Sequence, residues 1–249
     1  MTLLDGKNAI VYGAAGRIGT AVATAFAGEG ARVFLTGRSR ARLDEVAGRI
    51  RAAGGLAETA EVDALDERAV DEHAAAVGAV DVSVNLIGHG DVQGTPLVDM
   101  AVADYERPVL TAVRTQFLTA RAAARQMISR QRPGAILFFG GAADPVREFA
   151  VGGLQVAFHA LEAMRRQLAA ELGQYGIRTV TLRTGGITET LPAEMPGRAE
   201  LAENIAGKTM LGRAATLADV GAVAAFVASD QAASMTAATV NISCGALVD

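Results

Sequence analysis

The sequence lacks several features on which whole classes of protein depend. Cys244 is the only cysteine among 249 residues, so no internal disulfide can form, which fits a reducing cytoplasm. The three histidines are scattered without the spacing of metal ligands, so we expect no metal site. The formal net charge is −4 and the arginines are interleaved with acidic residues, which argues against a nucleic-acid surface.

Long hydrophobic runs are also missing. The longest uncharged run near the middle, residues 149–161, is too short to cross a bilayer, so we expect no membrane partner. A predicted strand follows almost directly after Met1–Asp5 and leaves no room for a signal peptide. Together with the single cysteine, this predicts a cytoplasmic protein.

The chain does contain a regular alternation of short apolar runs and helical patterns. Hydrophobic residues make up 51% of it, and small residues such as alanine allow helices to pack closely on a parallel sheet. The predicted strands are Ala9–Tyr12, Arg32–Thr36, Glu58–Val62, Val82–Ile87, Ala135–Phe139, Arg178–Leu182 and Thr239–Ile242. This alternation predicts one doubly wound Rossmann-type α/β domain over residues 1–249, with about seven parallel strands flanked by helices.

Some local features add detail to this prediction. Gly173 is expected to stop the helix that runs through residues 161–173, and Pro108 to kink or start the fourth helix. Thr188–Met210 reads as an irregular stretch after a strand, which suits a lid over a site. Cys244 is expected to be a small buried side chain in the last strand.

A glycine-rich turn follows the first predicted strand. Gly13, Gly16 and Gly19 lie between that strand and a helix that begins near Arg17. Glycines at such a turn let the backbone approach a pyrophosphate, and the helix N-terminus supplies N–H groups and positive potential. The spacing alone would also fit an ordinary tight turn, but its place between a strand and a helix favours a nucleotide site.

Arg38 decides which nucleotide we expect. It follows the second strand, about twenty residues beyond the turn, where a dinucleotide fold contacts the adenosine ribose. An acidic residue would favour NAD(H), whereas Arg38 with Arg17 suits the additional phosphate of NADP(H). We therefore favour NADP(H) over NAD(H), the alternative being that Arg38 is a solvated residue at a helix start.

The motifs together resemble the short-chain dehydrogenase/reductase family over nearly the whole chain. Asp63–Ala64 is similar to the family's adenine-contacting Asp-Val, and residues 84–88 to its Val-Asn-Asn-Ala-Gly. Residues 183–187 and Thr190 match the segment that meets the nicotinamide carboxamide and the pyrophosphate. The turn departs from the pattern, because Arg17 replaces its middle glycine. The resemblance implies a cofactor site made of Gly13, Gly16, Arg17, Ile18, Gly19, Arg38, Asp63, Ala64, Asn85, Gly88, Gly185, Ile187 and Thr190.

The catalytic positions implied by the resemblance carry no catalytic side chains. The family uses a Tyr as proton donor, a Lys four residues later, a Ser about thirteen residues earlier and an Asn on the fourth helix. A phenol titrates near 10, so it needs such a cation to serve at neutral pH. Here these slots hold Leu154, Phe158, Gly141 and Ala112. Because losing a general acid alone slows a reaction by roughly 10²–10⁴-fold, we expect ordinary ketone and alcohol chemistry to be crippled.

Few other side chains in the sequence could act in place of these catalytic residues. His89 follows Gly88 at a strand's carboxyl end, the correct edge for a ligand-facing group, but we favour the alternative that it is a partly exposed loop histidine. Tyr12, Tyr105 and Tyr175 fall at a strand end, at a helix start and in the turn before strand six. Asp144, Arg147 and Glu148 could bind a polar substrate from a loop, or could simply be solvated.

Three functions remain open at this level. The first is an atypical oxidoreductase that uses NADP(H) on a small molecule needing no Tyr-type acid. The second is a catalytically inactive pseudoenzyme that senses NADP(H) or binds a partner, and the third is a non-redox enzyme that reuses the cavity. The resemblance also implies a homodimer or homotetramer, packed through the helices in Met100–Arg130 and Leu154–Gly173.

Overall fold

The computed structural model describes residues 2–141 and 149–248. Its centre is a parallel sheet of seven strands in the order β3-β2-β1-β4-β5-β6-β7. The strands are β1 Asn8–Tyr12, β2 Arg32–Gly37, β3 Leu56–Glu61, β4 Val82–Asn85, β5 Gly134–Gly140, β6 Ile177–Thr184 and β7 Ala238–Ile242. Every predicted strand is confirmed, with ends shifted by about two residues at most, and the doubly wound α/β fold is confirmed with them.

Helices cover both faces of the sheet. They are α1 Arg17–Gly28, α2 Arg40–Ala52, α3 Glu67–Val77, α4 Val102–Ser129, α5 Leu154–Leu172, α6 Arg198–Gly207 and α7 Leu217–Ala228. Side chains of α1, α2 and α7 pack in one hydrophobic core with alternate strand residues such as Val11. Those of α3, α4 and α5 pack in a second core on the other face, with residues such as Ile10. Because successive side chains along each strand point to opposite faces of the sheet, they contribute to both cores, as expected for a parallel sheet buried on both sides.

The order of the strands reverses between β1 and β4. Chain order runs outward from β1 through β2 and β3 on one side, and from β4 to β7 on the other. In such sheets a crevice opens outside the carboxyl ends of the strands at this point, and ligands bind there. The loops after β1 and β4 therefore border the expected ligand site.

Strand β4 ends at Asn85, two residues earlier than predicted. The Asn85 Oδ1 atom accepts a hydrogen bond from the Ile87 backbone N–H at 3.0 Å. Its Nδ2 atom donates to the hydroxyls of Thr115 and Thr119 on α4, at 3.2 and 3.4 Å. The side chain thereby folds the backbone into a turn that leaves the ladder, which explains the early end of the strand.

The two expectations for the long helices have different outcomes. The helix α5 ends at Leu172 with Gly173 as its C-cap, as predicted, although Gly173 is right-handed and begins a 3₁₀ turn to Tyr175, and the left-handed residue is Gly176. Pro108 does not start the fourth helix, because α4 begins six residues earlier at Val102 and Pro108 lies buried inside it.

The last quarter of the chain also differs in part from the prediction. Thr188–Met210 is not irregular throughout: it holds a 3₁₀ turn at Thr188–Thr190 and the helix α6. Cys244 lies beyond the end of β7, half-buried, with a left-handed backbone of φ +54°, so its placement in the last strand was wrong. Over the described ranges no helix combines the length and apolarity needed to cross a membrane.

Candidate functional site

A cleft of about 490 Å³ opens at the carboxyl ends of β1, β2 and β4. It lies at the reversal point of the sheet and has a volume typical of ligand sites. Six of the predicted cofactor residues line it: Gly13, Gly16, Arg38, Asp63, Ala64 and Gly88. The structure therefore brings together residues that are up to 75 positions apart in the chain.

The glycine turn at one wall of the cleft is held by close backbone contacts. Gly13 has φ +75°, and a side chain there would come within 2.7 Å of the Leu86 carbonyl oxygen. A side chain at Gly19 would press directly on the Gly13 carbonyl oxygen. Gly16 caps α1 without a side-chain acceptor, so the N–H groups of the first helical turn face outward with no cap across them. This geometry is suited to an anion at the start of α1.

Two arginines line the cleft near the end of β2. Arg38 is exposed, and within residues 2–141 and 149–248 no hydrogen bond or ion pair engages it. Arg42, in the first turn of α2, donates from Nη2 to the Ala15 carbonyl at 3.2 Å. Sequence reasoning missed Arg42, although its spacing of four from Arg38 at a helix start was a usable signal. Two guanidinium groups thus place positive charge on this wall of the cleft.

Arg17 is placed elsewhere. It is exposed, does not line the cleft, and donates from Nη1 to the Glu189 carbonyl at 2.9 Å. It lines a neighbouring groove of about 350 Å³ together with Arg42 and Arg49. The structure thus pairs Arg38 with Arg42 rather than with Arg17.

The remaining predicted cofactor residues also lie outside the cleft lining. Asn85 is buried and its side chain is engaged by Ile87, Thr115 and Thr119, so it shapes the loop after β4. Ile187 lies in the core, and Gly185 packs against Ser243 and Ala246. Thr190 donates to the Ile187 carbonyl at 2.7 Å. Ile18 and Gly19 belong to α1 and support the turn from behind.

The four positions predicted to be catalytic carry no polar side chain. Ala112 is buried in α4, while its neighbours Thr111 and Thr115 line the cleft. Leu154 opens α5, and Phe158 follows one turn later. The Phe158 ring lies so close to Gly141 that a side chain there would meet its Cε2 and Cζ atoms at 2.9 and 3.2 Å. Hence no hydroxyl, phenol or amine is present at these four positions.

His89 lines the cleft where the sequence placed it. Its ring meets the edge of the Phe158 ring, with centroids 6.0 Å apart and planes at 66°. Burial lowers the pKa of His89, with a smaller opposing effect from Asp91, so the imidazole is neutral near pH 7. A neutral imidazole can donate or accept a hydrogen bond from this wall, but its aromatic partner offers no proton relay.

The three tyrosines supply no exposed phenol inside the cleft. Tyr12 is buried, its ring packs on His73 at 6.5 Å, and in the described part of the chain its hydroxyl has no hydrogen-bond partner. Burial, aided by the charge of Asp71, raises the pKa of Tyr12 far above its ordinary range. Tyr105 lies on α4 outside the cleft lining, and Tyr175 precedes β6 at the opposite edge of the sheet.

Other candidates from the sequence are quickly placed. His73 lies on α3 and is half-buried rather than on the surface, and His159 is exposed on α5. Asp144, Arg147 and Glu148 fall outside the described residues. Among the side chains that the structure describes, no group of three His, Cys, Asp or Glu is arranged to hold a metal ion.

Comparison with known proteins identifies the family of this chain. The profile of the family described as enoyl-(acyl carrier protein) reductase matches residues 13–246. The chain is 31% identical to a hexahydro-1H-indene-carboxyl-CoA reductase of Mycobacterium tuberculosis, over 97% of this chain and 94% of that protein. It is also 31% identical to an L-rhamnose 1-dehydrogenase (NAD(P)(+)) of Azotobacter vinelandii, over 100% and 99%. A short-chain type dehydrogenase/reductase from Mycobacterium marinum superposes with a TM-score of 0.87 at 26% identity, over 99% and 97% of the two chains. The chain belongs to the short-chain dehydrogenase/reductase family of oxidoreductases, which generally bind NAD(P)(H) and act on small molecules.

Proposed function

We propose that the cleft binds NADP(H) and that Arg38 and Arg42 recognise the phosphate on its adenosine ribose. The observation that carries this proposal is the pair of guanidinium groups in the cleft wall beyond β2, where the adenosine ribose lies in a dinucleotide fold. Arg38 has no competing partner among the described residues, so its charge is available to a ligand. No acidic side chain stands at the end of β2 to prefer the free hydroxyls of NAD(H).

Other residues of the cleft suit the rest of the adenosine half. The Gly13–Gly19 turn and the start of α1 offer N–H groups to the pyrophosphate. Asp63 accepts the Leu65 N–H at 3.0 Å, which fixes the backbone beside Ala64 where an adenine ring would lie. When bound, the cofactor of this family supplies or accepts a hydride at its nicotinamide.

We further propose that this member does not interconvert ordinary ketones and alcohols. Proton transfer to or from the substrate oxygen would need an acid or base, and Leu154, Phe158 and Gly141 provide none. Two functions then compete: hydride transfer to an acceptor that needs no proton donor, and a nucleotide-responsive binding protein. The close packing of Phe158 on Gly141 favours the nucleotide-responsive binding protein, because the ring covers the backbone where a polar group would have to bind the substrate.

Calorimetric titration with NADPH and NADH tests the cofactor proposal. Hydrogen bonds to charged groups contribute about 1.5–3 kcal/mol each, so we expect NADPH to bind at least about tenfold more tightly than NADH. Arg38→Ala and Arg42→Ala should each remove most of this difference. Arg49→Ala is the matched control, because Arg49 lines the neighbouring groove and not the cleft. Equal affinity of the wild-type protein for NADPH and NADH would refute the proposal.

Turnover assays separate the two remaining functions. The protein with NADPH is incubated with ketones, quinones, enones and imines while the nicotinamide absorbance is followed. Tight NADPH binding without turnover supports a binding protein. Turnover of an activated acceptor that His89→Ala abolishes supports the oxidoreductase instead.

We also propose a homo-oligomer, a homodimer or homotetramer, assembled through α4 and α5. Large apolar side chains are exposed on these helices, among them Leu110 (65%) and Phe117 (45%) on α4 and Val156 (42%) on α5. Surfaces of this kind are commonly covered in assemblies. Sedimentation of the protein as a monomer at micromolar concentration would contradict this assembly.

A further inference from the structure

The cleft occupies only one half of the crevice in which a dinucleotide would lie. In a doubly wound sheet the two mononucleotides lie across the carboxyl ends of the strands, one over each half of the sheet. The cleft is lined by residues at or after the ends of β1, β2, β3 and β4, and by α4. Of the residues that the structure describes, none from β5, β6 or α5 lines it. Among the described residues, the cleft thus covers only the first half of the crevice.

A phenyl ring stands over the second half. The Phe158 ring lies against Gly141 and within 4.0 Å of where a Gly140 side chain would begin, at the carboxyl end of β5. The ring cannot easily turn aside, because it packs on its own face of the sheet with the α4 and α5 core and meets the His89 ring. An apolar ring in this place offers no hydrogen bond to a ribose hydroxyl, and burying an unpaired hydroxyl is unfavourable.

The end of β6 is closed in a similar way. Ile187 is buried in the core, and the Gly185 backbone packs on Ser243 and Ala246. The Arg17 side chain reaches from α1 to the Glu189 carbonyl, and the Glu189 carboxylate accepts the Leu217 N–H. The 188–190 turn is thus tied to α1 and α7, and none of its residues lines the cleft.

We infer that the protein recognises a 2′-phosphorylated adenosine nucleotide as such, and that the nicotinamide half of NADP(H) adds nothing to binding. The inference rests on the proposed function, because it assumes that Arg38 and Arg42 hold a ribose phosphate. It goes further by assigning all recognition to the half of the crevice that the cleft occupies. The ligand class then includes adenosine 2′,5′-bisphosphate, which carries the ribose phosphate and lacks the nicotinamide.

Two measurements on the wild-type protein test this assignment. Calorimetry should give adenosine 2′,5′-bisphosphate and NADP⁺ dissociation constants within about threefold of each other. Saturation-transfer NMR on bound NADP⁺ should show strong transfer to the adenine protons and little to the nicotinamide protons. Binding of NADP⁺ more than about tenfold tighter than the bisphosphate, with transfer to both rings, would overturn the inference.

Variants at Phe158 test whether this ring is the reason that the nicotinamide half adds nothing to binding. Phe158→Ala should strengthen NADP⁺ binding by about tenfold or more while the affinity for the bisphosphate stays within about twofold. Phe158→Leu is a more conservative variant that keeps an apolar side chain. An unchanged affinity for the bisphosphate would show that each variant is still folded. Phe226→Ala is the matched control, since Phe226 is half-exposed on α7 away from the cleft.

The outcomes separate the two proposals. If neither adenosine 2′,5′-bisphosphate nor NADP⁺ binds, the proposed function fails and this inference falls with it. If both bind but NADP⁺ is clearly preferred, the proposed function stands and only this inference is wrong. If both bind equally and Phe158→Ala changes nothing, the assignment of the block to Phe158 is overturned.

Discussion

The contact between Phe158 and Gly141 should appear as an energetic coupling in a double-mutant cycle. A methyl group at position 141 would lie 2.9 and 3.2 Å from two ring carbons of Phe158, inside ordinary van der Waals contact. The ring would have to move, and it already contacts the His89 ring, with centroids 6.0 Å apart. Forcing an additional methyl group into a packed site destabilises a protein by about 1–3 kcal/mol.

The residue at position 158 decides whether Gly141→Ala stabilises or destabilises the protein. Glycine to alanine at a tolerant backbone position stabilises by about 0.4–1 kcal/mol, because the unfolded chain loses freedom. In the wild-type background we therefore expect Gly141→Ala to lower the free energy of unfolding by about 1–2 kcal/mol. In the Phe158→Ala background the ring is gone, and the same change should be neutral or stabilising. The coupling free energy is then about 1–3 kcal/mol.

Urea unfolding of the wild type, Gly141→Ala, Phe158→Ala and the double variant measures this coupling. The free energy of unfolding follows from the transition midpoint, provided that the denaturant slope is the same in all four. Gly207→Ala provides the matched control, because Gly207 ends α6 and a side chain there would meet nothing within 4 Å. Its effect should be the same with and without Phe158. If the Gly141 and Phe158 changes are additive to within about 0.5 kcal/mol, the packing derived for the second half of the crevice is mistaken.

Three further changes test the turn, a helix cap and a buried ion pair. Gly19→Ala should abolish nucleotide binding and lower the melting temperature, because a side chain there presses on a carbonyl of the glycine turn; a melt and a calorimetric titration measure both. Hydrogen bonding from Arg213 lowers the pKa of Asp219 to about 2, so its stabilising contribution should hold above about pH 4 and fade as the pH drops toward 2. Asp219→Asn should therefore lose up to about 1 kcal/mol at pH 7 and nothing near pH 2, as followed by urea unfolding at each pH. Glu162→Ala should cost about 3–5 kcal/mol, because it leaves the guanidinium of Arg165, only 3% exposed, without its carboxylate; Glu162→Gln should cost less in the same assay.

The sequence predicted the fold well because its signals are local. Each strand is a short apolar run and each helix has its own period, so all seven strands could be placed without tertiary information. One strand end was misplaced because a side chain redirects the backbone. The Asn85 side chain accepts the Ile87 N–H and contacts Thr115 and Thr119, and β4 ends there, two residues early. Such effects depend on partners that are distant in sequence or on competing local turns.

The site was harder to predict than the fold. Motif matching treats the cofactor residues as one set, but the structure divides them between a cleft, a core and the supports of a turn. It also brings in Arg42, which no motif marked, and sends Arg17 to Glu189. Which arginine lines the cleft is set by where α1 and α2 begin in space, and spacing along the chain does not encode that.

Two of the four positions predicted to be catalytic, Gly141 and Phe158, are not independent of each other. With the Phe158 ring in place, any side chain at position 141 must displace it, so glycine there is a steric consequence of the phenylalanine. Gly141→Ser alone would therefore add a hydroxyl that has no room, and Phe158→Lys alone would place an amine beside a bare backbone. A polar site at the end of β5 would therefore require both changes together, and a single substitution at either position would not create one.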